Sequence, residues 1–142
     1  MQKTCLILLL VFICASCEKD IPLGTLVASV DGKERTFDSD PKAEWTSDPE
    51  GFDLWIHGIG VMNEISIRIN SQTLISPKTY SYVNISFYRY ILFIPIEYNT
   101  LTGTVIITEM DATHVKGTFS GTLRDSEGTK LVLSEGVFNL SI

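Results

Sequence analysis

VKGTFSGTLR, residues 115 to 124, decides the fold. Val115, Gly117, Phe119, Gly121 and Leu123 fall on the odd positions, and Lys116, Thr118, Ser120, Thr122 and Arg124 on the even ones. A helix of period 3.6 would scatter the two sets around a cylinder, whereas an extended strand puts them on opposite faces. The stretch therefore reads as a strand with an apolar side facing a core and a polar side facing water. Working outward, NEISIRIN at 63–70 repeats the pattern, with Ile65, Ile67 and Ile69 facing one way and Glu64, Ser66 and Arg68 the other. Phe52, Leu54 and Ile56 alternate in the same way, which leaves Asp53, Trp55 and His57 on the polar face.

Turn signals separate these runs. Asp31-Gly32 stands between LVASV and KERTF and is a strong hairpin signal. Asn99–Gly103, Asp111–Thr113 and Asp125–Thr129 also read as turns. Pro41, Pro49 and Gly51 interrupt residues 38–51, which predicts a loop or a short edge strand around Ala43–Thr46. YILFIPIEY at 90–98 is apolar almost throughout, as expected of a strand covered on both faces or of one that bends at Pro95. No window shows a capped helical period. Eight to ten short strands with short connections predict an all-β fold, an antiparallel β-sandwich, with a lipocalin-like β-barrel as the alternative.

The start of the chain carries a different signal. Lys3 precedes an apolar run from Cys5 to Ala15, eleven residues long. A membrane-spanning helix needs about 20 apolar residues. A charged start, a short apolar core and small residues before a cut site make a secretory signal. Here Ala15 and Ser16 precede Cys17, and this pattern resembles the bacterial lipoprotein signal. In that family the cysteine receives a diacylglyceryl group, the chain is cut before it, and the new amino terminus is acylated. Cys5 lies too near the start for this role, and Cys14 follows the bulky Phe12 and Ile13. Where the family usually has Leu, three residues before the cysteine, this chain has Cys14. A metal or redox pair of Cys14 with Cys17 would need a folded scaffold around it, and Cys14 falls in the segment to be removed.

The expected organisation is a signal peptide at 1–16, a lipidated tether at 17–24 and one all-β domain at 25–142. Several acyl chains on one residue anchor a protein durably, where a single chain holds only marginally. The expected address is the outer membrane, at the cell surface or on its periplasmic face. Glu18, Lys19 and Asp20 follow the cysteine at once. In lipoproteins of the Bacteroidota type, acidic residues in that place signal display on the cell surface; otherwise they serve as a hydrated linker.

Without residues 1–16 the chain has 10 basic and 17 acidic residues, a net charge of −7, and no cysteine but Cys17. That balance disfavours nucleic acid, whose recognition rests on cations neutralising phosphates. With no disulfide available, stability must come from the core, and a domain of this length can bury enough surface to supply it.

Val30-Asp31-Gly32-Lys33, the Ile65–Ile69 strand, Gly103-Thr104-Val105-Ile106-Ile107-Thr108, Gly117-Thr118-Phe119-Ser120-Gly121-Thr122 and Glu135-Gly136-Val137-Phe138 follow one another in order. Together they resemble small Bacteroidota-type lipoproteins with a β-rich domain of unknown function. Pro77-Lys78-Thr79-Tyr80 stands where that group has Gly-Thr-Tyr, and Glu34-Arg35-Thr36-Phe37 lacks the tryptophan expected after the hairpin. The resemblance implies an envelope location and a sandwich-like fold, and it brings no catalytic residues.

Few groups suggest chemistry. His57 and His114 have no second histidine at ligand spacing, and no serine sits in a nucleophile elbow. Asp53 and His57, four apart on a strand, would stand about 13 Å from each other, too far to share a metal. Asp48, Glu50 and Asp53 surround a turn and read as solvated. No catalytic, metal or cofactor site is expected, apart from the lipid on Cys17. In YSYVNISFYRY, alternation puts Tyr80, Tyr82, Tyr88 and Tyr90 on one face with Asn84 and Ser86, opposite Val83, Ile85 and Phe87, unless a bend reassigns the faces. Such a row suits a protein or a glycan, or else forms a second packed layer. The expected function is a lipid-anchored, non-enzymatic binding or structural domain. A lipocalin-like carrier of a small apolar ligand is the alternative, and a hydrolase the third reading.

Overall fold

Ten strands carry the alternation into three dimensions: β1 (Thr25–Val30), β2 (Lys33–Thr36), β3 (Ser39–Asp48), β4 (Gly51–Gly60), β5 (Asn63–Ser71), β6 (Thr79–Tyr80), β7 (Val83–Ile91), β8 (Ile94–Met110), β9 (His114–Arg124) and β10 (Lys130–Ser141). The structure is a computed structural model that describes residues 20–142. The expected signal peptide, Cys17 and the first part of the expected tether lie outside the described residues.

All ten strands join one antiparallel sheet in the order β2-β1-β10-β9-β8-β7-β5-β4-β3, with the short β6 paired to β8. Apart from that side branch, neighbours in the sheet are neighbours in the chain, except where β1 joins β10. Asp31 and Gly32 both have positive φ, 50° and 79°, which closes the β1–β2 hairpin in the turn whose twist matches the strands.

The two edge strands, β2 and β3, are consecutive in sequence. Phe37 N–H donates to Leu26 of β1 at 2.9 Å, and two residues later Ser39 pairs with Ile59 of β4. One extended segment thus leaves one edge of the sheet and joins the other, so the sheet must curl. The result is an all-β half-barrel whose concave side is the core.

The inward positions are those that alternation selects. Ile65, Ile67, Ile69, Leu54, Ile56 and Leu123 are fully buried, together with Phe37, Phe87 and Phe138, and Phe119 is buried beside them. Gly58 of β4 marks a close approach across the curl. A Cβ there would stand 2.6 Å from Leu26 Cδ2 and 2.9 Å from Phe37 Cβ. Phe37 meets Phe87 edge-on, with ring centroids 6.3 Å apart.

Three expectations need correction. YILFIPIEY is neither a covered strand nor a bend at Pro95. It is the end of β7, a turn at Leu92-Phe93 and the start of β8, with Ile91 pairing Ile94 and the tip in solvent. Backbone pairing won over apolar burial because the hairpin projects past its neighbours. Asn99–Gly103 is not a turn but a shift of register inside β8. There Thr100 Oγ1 bonds both the N–H and the carbonyl of Ile85 and so holds the strand to β7. The edge strand at Ala43–Thr46 is longer than expected, reaching from Ser39 to Asp48, because the register shift between Ser39 and Lys42 absorbs Pro41.

Candidate binding surface

The convex side of β3, β4, β5 and β7 carries the densest set of polar and aromatic side chains. The register stacks it in cross-strand rows. One row runs Glu44, Trp55, Arg68, Asn84; the next runs Lys42, His57, Ser66, Ser86. Thr46, Asp53 and Asn70 form a third, and Ile59, Glu64, Tyr88 and Glu97 a fourth. On β4, β5 and β7 Trp55, His57, Ser66, Arg68 and Asn84 point outward because they alternate with buried residues of the core such as Ile56, Ile67 and Ile85.

Trp55 is the centre, 48% exposed on a face that water covers. The Arg68 guanidinium lies 5.9 Å from the indole centroid. Arg68 also grips Asp53 with two hydrogen bonds, Nε–H to Oδ1 at 3.2 Å and Nη2–H to Oδ2 at 2.8 Å, and Asn70 donates to Oδ1 at 2.9 Å. These bonds, Arg68 first and Asn70 next, hold the Asp53 carboxyl below its ordinary range, and Asp53 in turn raises the Arg68 guanidinium. The pair stays ionised and rigid. On the other side of the indole, Lys42 Nζ stands 3.2 Å from Glu44 Oε1.

Two shallow hollows flank Trp55. One, of about 230 Å³, is lined by Lys42, Glu44, Trp55 and His57. The other, of about 250 Å³, is lined by Glu44, Thr46, Asp53, Trp55 and Arg68. The indole and Glu44 are common to both. His57 Nε2 meets Glu64 Oε1 at 2.9 Å, and its Nδ1 is buried without a hydrogen-bond partner.

The four tyrosines do not share a face. Tyr80 is buried, and its hydroxyl donates to the carbonyl of Ser76 and accepts from the Ser76 N–H, both at 2.9 Å. Tyr82 is 98% exposed in the connection between β6 and β7. It borders a separate groove over β8, β9 and β10, lined also by Leu101, Thr102 and Thr122. Tyr88 and Tyr90 do lie outward on β7, as alternation requires. Tyr88 donates to Glu97 at 2.9 Å and Tyr90 to Glu64 at 3.2 Å. Those contacts raise both phenols above their ordinary range, mainly through the Glu97 hydrogen bond for Tyr88 and through burial for Tyr90. The separation arises because β6 pairs with β8, so the chain bends at Tyr82 before β7 begins at Val83. That bend breaks the two-residue period on which a single tyrosine face depends.

Other polar residues serve turns. Asp48 Oδ1 accepts from the N–H groups of Glu50 and Gly51. Asp111 Oδ1 accepts from Thr113 and His114, and Asp111 Oδ2 meets His114 Nδ1 at 2.7 Å. Among the described residues no group of three or more acidic, histidine or cysteine side chains is placed to hold a metal. No helix among them is long and apolar enough to cross a membrane.

Sequence reasoning placed Asp53, Trp55 and His57 on one polar face but missed the cluster, because Arg68 and Asn70 reach it across the β4–β5 register. Alternation had already turned Arg68 outward, and a hairpin register for β4 and β5 would have found the contact. Comparison of the chain with family models, with curated proteins and with solved structures returned no match.

Proposed function

We propose that this chain is a lipid-anchored protein of the cell envelope whose β-domain binds a glycan, without catalysis, on the Trp55 face. The observation that carries the binding reading is an exposed indole set between a bidentate Arg68–Asp53 pair and a Lys42–Glu44 pair. Sugar rings present an apolar C–H face, which stacks on an aromatic plane, and an equatorial rim of hydroxyls, which take paired donors and acceptors. The two hollows that share Trp55 would seat adjacent residues of one chain. Ion pairs already fixed to each other present both donors and acceptors at little further entropic cost.

The anchor rests on the lipoprotein-like signal ending at Cys17. We also read the curled sheet as a barrel-like body rather than a two-sheet sandwich. The support for that is the single segment Lys33–Asp48, which serves β1 and β4 in turn. A carrier of a small apolar ligand draws no support from the concave side, where inward side chains from β1 to β10 pack as one cluster.

Two measurements test the proposal separately. Labelled palmitate enters the wild-type chain and not Cys17→Ala, and labelling that persists in the variant refutes the anchor. Isolated envelope polysaccharides shift the tryptophan emission of the wild type. Trp55→Ala loses at least about tenfold in affinity, the size of a lost stacking contact of about 1.5 kcal/mol. Undiminished binding by that variant refutes the surface.

A further inference from the structure

Two hairpin tips stand side by side at one pole of the half-barrel. The β4–β5 hairpin turns at Val61-Met62 and the β7–β8 hairpin at Leu92-Phe93. They are neighbours because Asn63 pairs with Arg89 and the Tyr90 N–H donates to the Met62 carbonyl at 3.0 Å. Arg89 also reaches Asp31 in the β1–β2 turn, at 3.8 Å, so β1 starts at the opposite pole.

Leu92 and Phe93 are 83% and 89% exposed, and Val61 is 84% exposed; Ile91 and Ile94 flank the β7–β8 tip in solvent as well. A soluble surface seldom gathers that much apolar area. The backbone adds to the oddity. Leu92 and Phe93 have φ of 50° and 66°, a turn that hairpins normally build from Asn-Gly. Large apolar residues held in left-handed conformations strain the chain, and such strain concentrates where function requires it.

We propose that these paired tips dip into the interfacial layer of a lipid bilayer with uncharged headgroups. The patch is convex, so it suits a deformable medium. Its polarity is layered along the hairpin. Ile91 to Pro95 carry no charge; Tyr88 and Tyr90 follow with hydroxyls tied to Glu97 and Glu64, and Arg89 lies between them. An apolar leading end with amphipathic tyrosines behind it and ions behind those matches the order hydrocarbon, interface, water. Ile91 and Ile94 pair with each other, and interfacial depth still offers water to the turn peptides and to the edge of β8 before Asn99, where pairing with β9 begins. The tips present no cluster of cations, and the chain beyond residue 16 is acidic, so anionic headgroups repel it. The contact requires neither acyl chains on Cys17, which precedes the opposite pole, nor the glycan surface.

The test uses the chain from residue 17 onward carrying Cys17→Ser, so that no lipid is attached; it retains all ten strands and the whole core. It is added to vesicles of phosphatidylcholine and phosphatidylethanolamine and sedimented. The protein is expected to sediment with the vesicles, and less so when phosphatidylglycerol is included. The double substitution Leu92→Asn, Phe93→Gly installs the turn residues that the backbone favours. It is expected to raise the melting temperature and to weaken vesicle binding by about tenfold or more, as burial of one large apolar side chain implies. A body that ignores vesicles overturns the proposal and leaves the tips to a protein pocket. Equal binding by the variant overturns it too. So does a wild-type dimer in sedimentation velocity that the substitution dissolves, which would assign the tips to a second copy.

Discussion

Gly58→Ala tests the curl of the sheet through the sign of its effect. Gly58 is buried inside β4, two residues before its end and outside the left-handed region, where alanine is ordinarily the better residue. Restricting the unfolded chain by this change stabilises a protein by about 0.4–1 kcal/mol where space allows. Here a methyl group would stand 2.6 Å from Leu26 Cδ2, 2.9 Å from Phe37 Cβ and 3.2 Å from the Phe37 carbonyl. The leucine methyl can rotate away, but Phe37 Cβ and its carbonyl belong to the segment that crosses from β1 to β4. Forcing that segment outward is overpacking, which costs about 1–3 kcal/mol. The net expectation is a loss of about 1–2 kcal/mol. For a body of this size that is a fall of about 4–8 °C in melting temperature. Urea unfolding followed through the fluorescence of Trp45 and Trp55 reads it directly. If Gly58→Ala is neutral or stabilising, β4 does not meet β1 and the β2–β3 link, and the half-barrel is wrong.

Ile67→Ala empties a fully buried position at the centre of β5 and is expected to cost about 2–5 kcal/mol in the same unfolding experiment. Tyr80→Phe keeps the ring in the core but orphans the N–H and carbonyl of Ser76; a loss of about 1 kcal/mol is expected, whereas a solvent-facing Tyr80 would show none. Asp111 is held at about 2, first by the Thr113 N–H and then by the Thr113 hydroxyl. Because its folded value lies below the unfolded one, the stability it contributes is complete above about pH 4 and fades as the pH falls toward 2. A carboxyl NMR titration that placed the Asp111 midpoint near 4 would contradict the turn geometry.

Much of the body was legible in single strands. NEISIRIN and VKGTFSGTLR have the inward residues that alternation assigned, because side-chain direction in a strand is set locally by the pleat. The Asp31-Gly32 turn was legible for the same reason: the two residues tolerate the φ values the hairpin demands. YILFIPIEY misled because its apolar content says nothing about how far a hairpin projects beyond its neighbours. The tyrosine row misled because a bend at Tyr82 resets the period, and that bend follows from the pairing of β6 with β8.

The Trp55 cluster was not legible in this way. Trp55 and Arg68 were each turned outward by their own strands, but the bond between Arg68 and Asp53 depends on the β4–β5 register. From its sequence alone the chain declares an all-strand body, its acidic charge and its apolar faces, since these follow from residue type and the pleat. Only the tertiary structure decides that the sheet curls around one core, that Asp53, Trp55 and Arg68 become one cluster, and that two apolar tips share a pole. Those outcomes depend on pairings between residues far apart in the chain, which no local pattern encodes.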